Sequence, residues 1–126
     1  MRGTFLLVAG MCLARSVALA QDPAKVDPQH CKVEFENAQV RVLRWHVGPH
    51  EKIPLHEHPA YVQISLTDSR TRFTLPDGTT KEVQTKAGES TWHDAQKHSA
   101  ENLGDSTENI QVEVKGKEHA PSKKKT

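Results

Sequence analysis

The chain has 126 residues, 26% of them charged, and a formal net charge of +1 at neutral pH. Residues 115–126 hold five lysines and one glutamate, so the preceding body is acidic. That body lacks the basic footprint expected of nucleic-acid binding, and the length allows a single domain with a modest core.

Residues 1–20 have the pattern of a secretory signal peptide. Arg2 gives a positive start, residues 4–14 are apolar, and residues 18–20 form a small-x-small cleavage site before Gln21. The apolar run is too short to span a membrane. The sequence therefore predicts a periplasmic or secreted protein that begins at Gln21 and has no membrane span.

Cysteine usage allows no internal disulfide in the processed chain, because Cys12 lies within the predicted signal and only Cys31 remains. Cys31 is either a small packed side chain or an exposed thiol able to pair between chains. Packing is the favoured interpretation, and a homodimer stays open.

Past the signal, residues 21–30 are polar with two prolines and predict an extended lead-in. Residues 31–114 predict one β domain, and residues 115–126 a disordered basic tail. Asp77-Gly78 marks the clearest hairpin turn. Short alternating strands without helical periodicity favour an all-β antiparallel sandwich or barrel. The predicted strands are 33–35, 40–47, 61–67, 70–75, 79–85, 90–93, 98–102 and 109–114.

The histidine pattern of residues 54–59 is the strongest functional signal. His56 and His58 are two residues apart, so both imidazoles should lie on one face of a strand, with Glu57 on the other. His98, on a neighbouring strand, can complete a facial set. Neutral imidazole is a common ligand of first-row metals. The three histidines are thus predicted to bind a metal, with a structural polar cluster as the alternative.

The other histidines are predicted to be bystanders or supporting residues. His30 and His119 lie in polar terminal stretches, where exposure is expected. His46 is predicted at the surface or at a pocket rim. His50 and His93 are close in sequence to the proposed site, and either could donate a hydrogen bond behind the ligands.

Residues 48–59 and 88–102 resemble the two short motifs of the cupin superfamily. The resemblance covers about residues 38 to 114. Three stretches look most like small single-domain cupins often named beta-alanine degradation proteins: residues 66–69, 74–78 and 100–105. It implies a single cupin-type antiparallel β-barrel, jelly-roll-like, with six to eight strands.

The sequence departs from this pattern at informative positions. The motif usually has glycine where this chain has His50, and a glutamate ligand where it has Gln63. His98 and Asn102 keep their spacing, and Asn102 is predicted to line the pocket or to support the ligands. Gln63 could add a neutral oxygen ligand or orient a bound molecule. Three imidazoles without a carboxylate leave the metal charge uncompensated, which favours an anionic oxygen donor in the open positions.

The resemblance implies a divalent transition metal. Iron best suits oxygen chemistry, while zinc, nickel or manganese can fill the same ligands. The leading hypothesis is an extracytoplasmic metal-dependent binding domain or dioxygenase-like enzyme for a small anionic organic molecule. One rival is a non-catalytic module in which Trp45, Trp92 or Tyr61 lines a small-ligand pocket. The other is a structural barrel with vestigial histidines and a dimerising surface.

Overall fold

A computed structural model describes residues 21–116, so the predicted signal at 1–20 and the tail from residue 117 lie outside the described residues. Within them, no helix is long and apolar enough to cross a membrane. The elements are α1 (Pro23–Val26), β1 (Cys31–Glu36), β2 (Val40–Val47), β3 (Lys52–His58), β4 (Tyr61–Ser65), β5 (Ser69–Thr74), β6 (Thr80–Thr85), β7 (Ser90–His93), β8 (Gln96–Asn102) and β9 (Thr107–Val114).

The strands form two antiparallel sheets, which confirms the predicted all-β fold. One sheet has five strands in the order β1-β2-β9-β4-β7, and the other has four in the order β3-β8-β5-β6. The described residues form nine strands, one more than the upper end of the predicted range of six to eight. The additional strand is β3, for which only the segment at His56 and His58 was expected to be extended, and its register against β8 is irregular between Ile53 and His56. Pro54 lies in that interval and has no N–H to donate to a sheet ladder.

The apolar core between the sheets is small and centres on Cys31, Leu43 and Trp45, with Ala24 and Ile53 packed against it. Cys31 is thus a packed side chain, as predicted. Burial raises the pKa of its thiol to about 12, so the thiolate form is scarce at neutral pH.

The lead-in is not simply extended, because residues 23–26 form the short helix α1. Asp22 caps this helix by accepting a hydrogen bond from the Ala24 amide at 2.9 Å, and Pro23 stands in its first turn, where a missing N–H costs nothing. The backbone amide of Glu57 donates to the Gln21 carbonyl at 2.9 Å. The segment therefore docks against the strand that carries His56 and His58.

His30 is buried, in contrast to the predicted exposure. Its Nδ1 bonds the Asp27 carboxylate at 2.8 Å, and its Nε2 contacts Glu51. Burial alone would lower the pKa of His30, but hydrogen bonds to the two carboxylates outweigh it and raise that pKa. The bond to His30 in turn lowers the pKa of Glu51. A charged cluster thus fixes the end of the lead-in.

We expect this cluster to stabilise the fold most at mildly acidic pH. The His30 contribution is full below its ordinary pKa of 6.5 and is lost as the pH rises through its raised value. The Glu51 contribution is full above 4.5 and is lost as the pH falls through its lowered value. Chemical denaturation of wild type and His30→Gln from pH 3 to 9 should therefore differ most between these limits. A pH-independent difference would contradict the ionic account.

The predicted hairpin joins β5 and β6, with Thr74 opposite Thr80 and Gly78 at φ +88°. His50 also has a positive φ, +59°, in the turn before β3. An L-residue pays roughly 1–2 kcal/mol for this conformation, and glycine does not. Glycine's greater freedom in the unfolded chain offsets part of that gain.

Replacement His50→Gly is accordingly expected to stabilise the protein by up to about 1 kcal/mol, measured by urea unfolding. Gly78→Ala is the matched control of opposite sign, because it adds a Cβ at a left-handed position. Destabilisation by His50→Gly would mean that the imidazole itself holds the turn.

Candidate metal centre

The register of β3 against β8 brings the three predicted ligands together. His56 lies directly opposite His98. His58, two residues further along β3, presents its ring to the same face because strand side chains alternate. All three side chains are nearly fully buried, and one nitrogen from each lies within 4.8 Å of the others. Glu57 is not part of this group.

Aromatic side chains enclose the cluster. The ring of Phe73 lies 4.7 Å from His98, Trp45 lies 5.4 Å from His56, and Tyr61 lies 4.7 Å from His58, measured between centroids. Such surroundings exclude water and disfavour charged imidazole.

Burial lowers the pKa of His56 to about 4 and that of His98 to about 3, and the neighbouring imidazoles add to both shifts. Both rings are neutral at neutral pH, and each keeps a lone pair. The Nδ1 of His56 donates to the Pro54 carbonyl at 2.8 Å, which leaves Nε2 as its free donor atom. Neutral, converging imidazole nitrogens fit a divalent transition metal such as iron, zinc, nickel or manganese.

A cavity of about 60 Å³ adjoins the histidines between the two sheets. Its walls combine apolar groups such as Val47, Ile53 and Ala100 with the polar side chains of Thr71 and Asn109. The described lining contains no Asp, Glu, Lys or Arg side chain.

Gln63 lines this cavity on β4, where its side chain is the last member of a hydrogen-bonded row. Trp45 Nε1 donates to Gln111 Oε1 at 2.9 Å, and Gln111 Nε2 donates to Gln63 Oε1 at 3.2 Å. The carbonyl oxygen of Gln63 is therefore already engaged, and its amide group is oriented by the row.

Solved structures resemble this arrangement of sheets. A cupin domain protein from Bordetella pertussis matches with TM-score 0.63 and 22% identity over 68% of this chain and 92% of that one. A protein with a double-stranded β-helix domain from Klebsiella pneumoniae matches with TM-score 0.55 and 23% identity, over 68% and 76%. An RmlC-like cupin family protein from Methanocaldococcus jannaschii gives 0.54 and 16%, over 68% and 78%. The fold is that of the cupins.

No protein-family model matches the sequence, and no curated protein is significantly similar to it. The structural likenesses establish the cupin fold. The narrower resemblance to cupins named beta-alanine degradation proteins stays a prediction.

Three of the predicted pocket or supporting residues are close to the histidine cluster or to the cavity. Tyr61 is sandwiched between His58 and His93, and its ring stacks on His93 at 4.7 Å and 13°. Asn102 lines the cavity and also ties two loops together, since its Nδ2 donates to the Gly48 carbonyl at 2.9 Å and its Oδ1 accepts from the Gly104 amide at 3.0 Å.

Two predicted supporting residues lie elsewhere. His50 occupies an exposed turn, at the position where the cupin motif usually has glycine, and its positive φ explains that preference. Trp92 is 58% exposed, because it alternates with Thr91 and His93 and so faces outward from β7. Neither belongs to the described cavity lining.

Glu113 was not among the predicted site residues, but its carboxylate is fully buried and its Oε2 lies 3.5 Å from His58 Nδ1. The sequence did contain a signal for this residue. Alternation within the predicted last strand puts Glu113 on the same inward face as Gln111, and a glutamate at an inward position is unusual.

Proposed function

We propose that this cupin-fold protein holds one divalent transition-metal ion through His56, His58 and His98. The observation that carries the proposal is the convergence of three buried histidine nitrogens within 4.8 Å, two of them on rings whose lowered pKa values keep them neutral. Gln63 lies in the same lining but already shares its oxygen with Gln111.

The proposed ligand is a small anionic organic molecule. Neutral imidazoles leave a bound ion's charge uncompensated, and the described lining offers neither an acidic side chain to repel an anion nor a basic one to bind a second negative group. A molecule with one anionic, metal-directed end and an uncharged polar body therefore fits best. The cavity volume of about 60 Å³ favours only a few atoms inside the barrel.

The chemistry we propose is oxygenase-like, with iron as the metal. A bound ion would act as a Lewis acid, and iron would in addition allow oxygen activation. The residues of the chain would bind and orient: Trp45 and Phe73 exclude water, while Gln111 and Gln63 form a fixed polar edge.

Non-catalytic capture of a small ligand is the second candidate. The observation that favours it is that the described cavity lining has no carboxylate or lysine and that its three histidines are the proposed metal ligands, so no lining side chain is left to act as a general base. In this version the same ion binds the anion without turnover.

Anaerobic loading with Fe(II), Zn(II), Ni(II) and Mn(II), followed by metal analysis, tests the metal site. Oxygen uptake by the Fe(II) form with diketones, thiols and hydroxy acids then separates the candidates. We expect one ion per chain and uptake with at least one panel member. Ligand binding without uptake would favour capture, and absence of bound metal would favour a structural barrel.

We further propose that the protein acts outside the cytoplasm, on the signal pattern of residues 1–20. Intact-mass measurement of periplasmic material should give a chain starting at Gln21 with a single thiol. Soluble native protein starting at Met1, or a lipid mass on Cys12, would contradict this location.

A further inference from the structure

Glu113 makes two contacts that together link a proposed ligand to the N-terminal segment. Its Oε1 accepts a hydrogen bond from Arg41 Nε at 2.6 Å, and its Oε2 lies 3.5 Å from His58 Nδ1. Within the described chain, Oε2 and Nδ1 have no hydrogen-bond partner, although both are buried. An unpaired buried carboxylate oxygen is costly, so a short movement that joins these two atoms is favourable.

Arg41 determines the net charge of the cluster that it forms with Asp22 and Glu113. It lies directly opposite Glu113 in the β2–β9 register, and its guanidinium also donates to Asp22 at 2.6 and 3.0 Å. One buried cation therefore stands between two carboxylates. Asp22, Arg41 and Glu113 together have a formal charge of −1, and the Glu113 carboxylate faces His58.

The N-terminal segment touches the ligand strand at a second point, because the Glu57 amide donates to the Gln21 carbonyl. Glu57 separates the two β3 histidines in sequence. Residues 21 and 22 thus contact both the backbone of the ligand strand and the arginine that holds Glu113.

We propose that Glu113 is a positioning residue for His58, and that the Asp22–Arg41 pair acts on the metal site through it. This inference rests on the proposed function. A proton held on His58 Nδ1 by Glu113 leaves Nε2 as the metal donor and makes the imidazole a stronger ligand. Glu113 then supplies, one layer behind the ring, the negative charge that the site lacks at Gln63.

Glu113→Gln keeps the side chain's size and removes its charge. We expect it to weaken Zn(II) binding by about 10- to 100-fold, measured by chelator competition. Glu108→Gln is the matched control, since Glu108 lies on the same strand, pairs with Arg44 and is partly exposed. In metal-free protein, ¹⁵N NMR should find the His58 proton on Nδ1 in wild type, and should find this preference lost in Glu113→Gln.

A purely structural role for Glu113 predicts a different result. The midpoint of thermal unfolding would fall, while Zn(II) affinity and the His58 tautomer would match wild type, and that outcome would overturn the inference alone. Absence of Zn(II) binding by wild type would overturn both this inference and the proposed function.

The link to the N-terminal segment is tested by a double-mutant cycle. Asp22→Asn should weaken Zn(II) binding severalfold. Without the Asp22 carboxylate, the positive charge of Arg41 acts on Glu113 alone and offsets more of the negative charge that Glu113 presents to His58. If Asp22 acts through Glu113, the double variant should bind Zn(II) as Glu113→Gln does, with no further loss. Additive losses would overturn the proposed route through Arg41.

Discussion

His56→Ala, His58→Ala and His98→Ala should each abolish stoichiometric metal binding while the barrel stays folded. Each change would remove a proposed direct donor, which in zinc sites lies at ~2.0–2.1 Å from the ion, so the loss should exceed the ~10- to 100-fold typical of a supporting residue. Metal content per chain by mass spectrometry, together with far-UV circular dichroism, is the measurement.

His46→Ala is the control, because His46 lies exposed on β2 and its ring is not in the cluster. It should bind metal as wild type does. Equal metal content in wild type and His98→Ala would contradict the three-histidine centre.

The second large effect concerns two arginines of β2 that each bridge two carboxylates. Arg41 is 12% exposed and binds Asp22 and Glu113, whereas Arg44 is 35% exposed and binds Glu34 and Glu108. Arg41→Met should lower the free energy of unfolding by roughly 3–5 kcal/mol, because it strands buried carboxylates. Arg44→Met should cost about 0–1 kcal/mol.

Urea unfolding of both variants at neutral pH measures the difference. Equal losses in the two variants would mean that the Arg41 network is as solvated as the Arg44 pair and contributes no special stability.

The strands were predictable from sequence because alternation and turn residues are local signals. The hairpin at Gly78 and the strand 40–47 needed no tertiary information. The extent of β3 was not predicted beyond the extended segment at His56 and His58, because Pro54 interrupts its ladder. The helix at Pro23 was marked by an Asp-Pro capping pair, but four residues fall below the length at which periodicity can be recognised.

The site was predictable only as far as residue spacing reaches. The two-residue spacing of His56 and His58 predicted that their rings share one face of a strand. His98 could be added as the third predicted ligand because it was assumed to lie on a neighbouring strand. The contact of His30 with Glu51 joins residues 21 apart in sequence, and the proposed role of Glu113 depends on a register between distant strands. No local pattern encodes such contacts.

The two sheets contribute different parts of the cavity. The proposed ligands stand on β3 and β8 of the four-stranded sheet, whereas Trp45, Gln63 and Gln111 reach in from the opposite sheet. Because Gln63 and Gln111 are not among the three grouped histidines, changes at these two positions should alter which molecule is accepted while the proposed donor residues stay on their own sheet. A barrel divided in this way can acquire a new ligand preference without first rebuilding its proposed metal site.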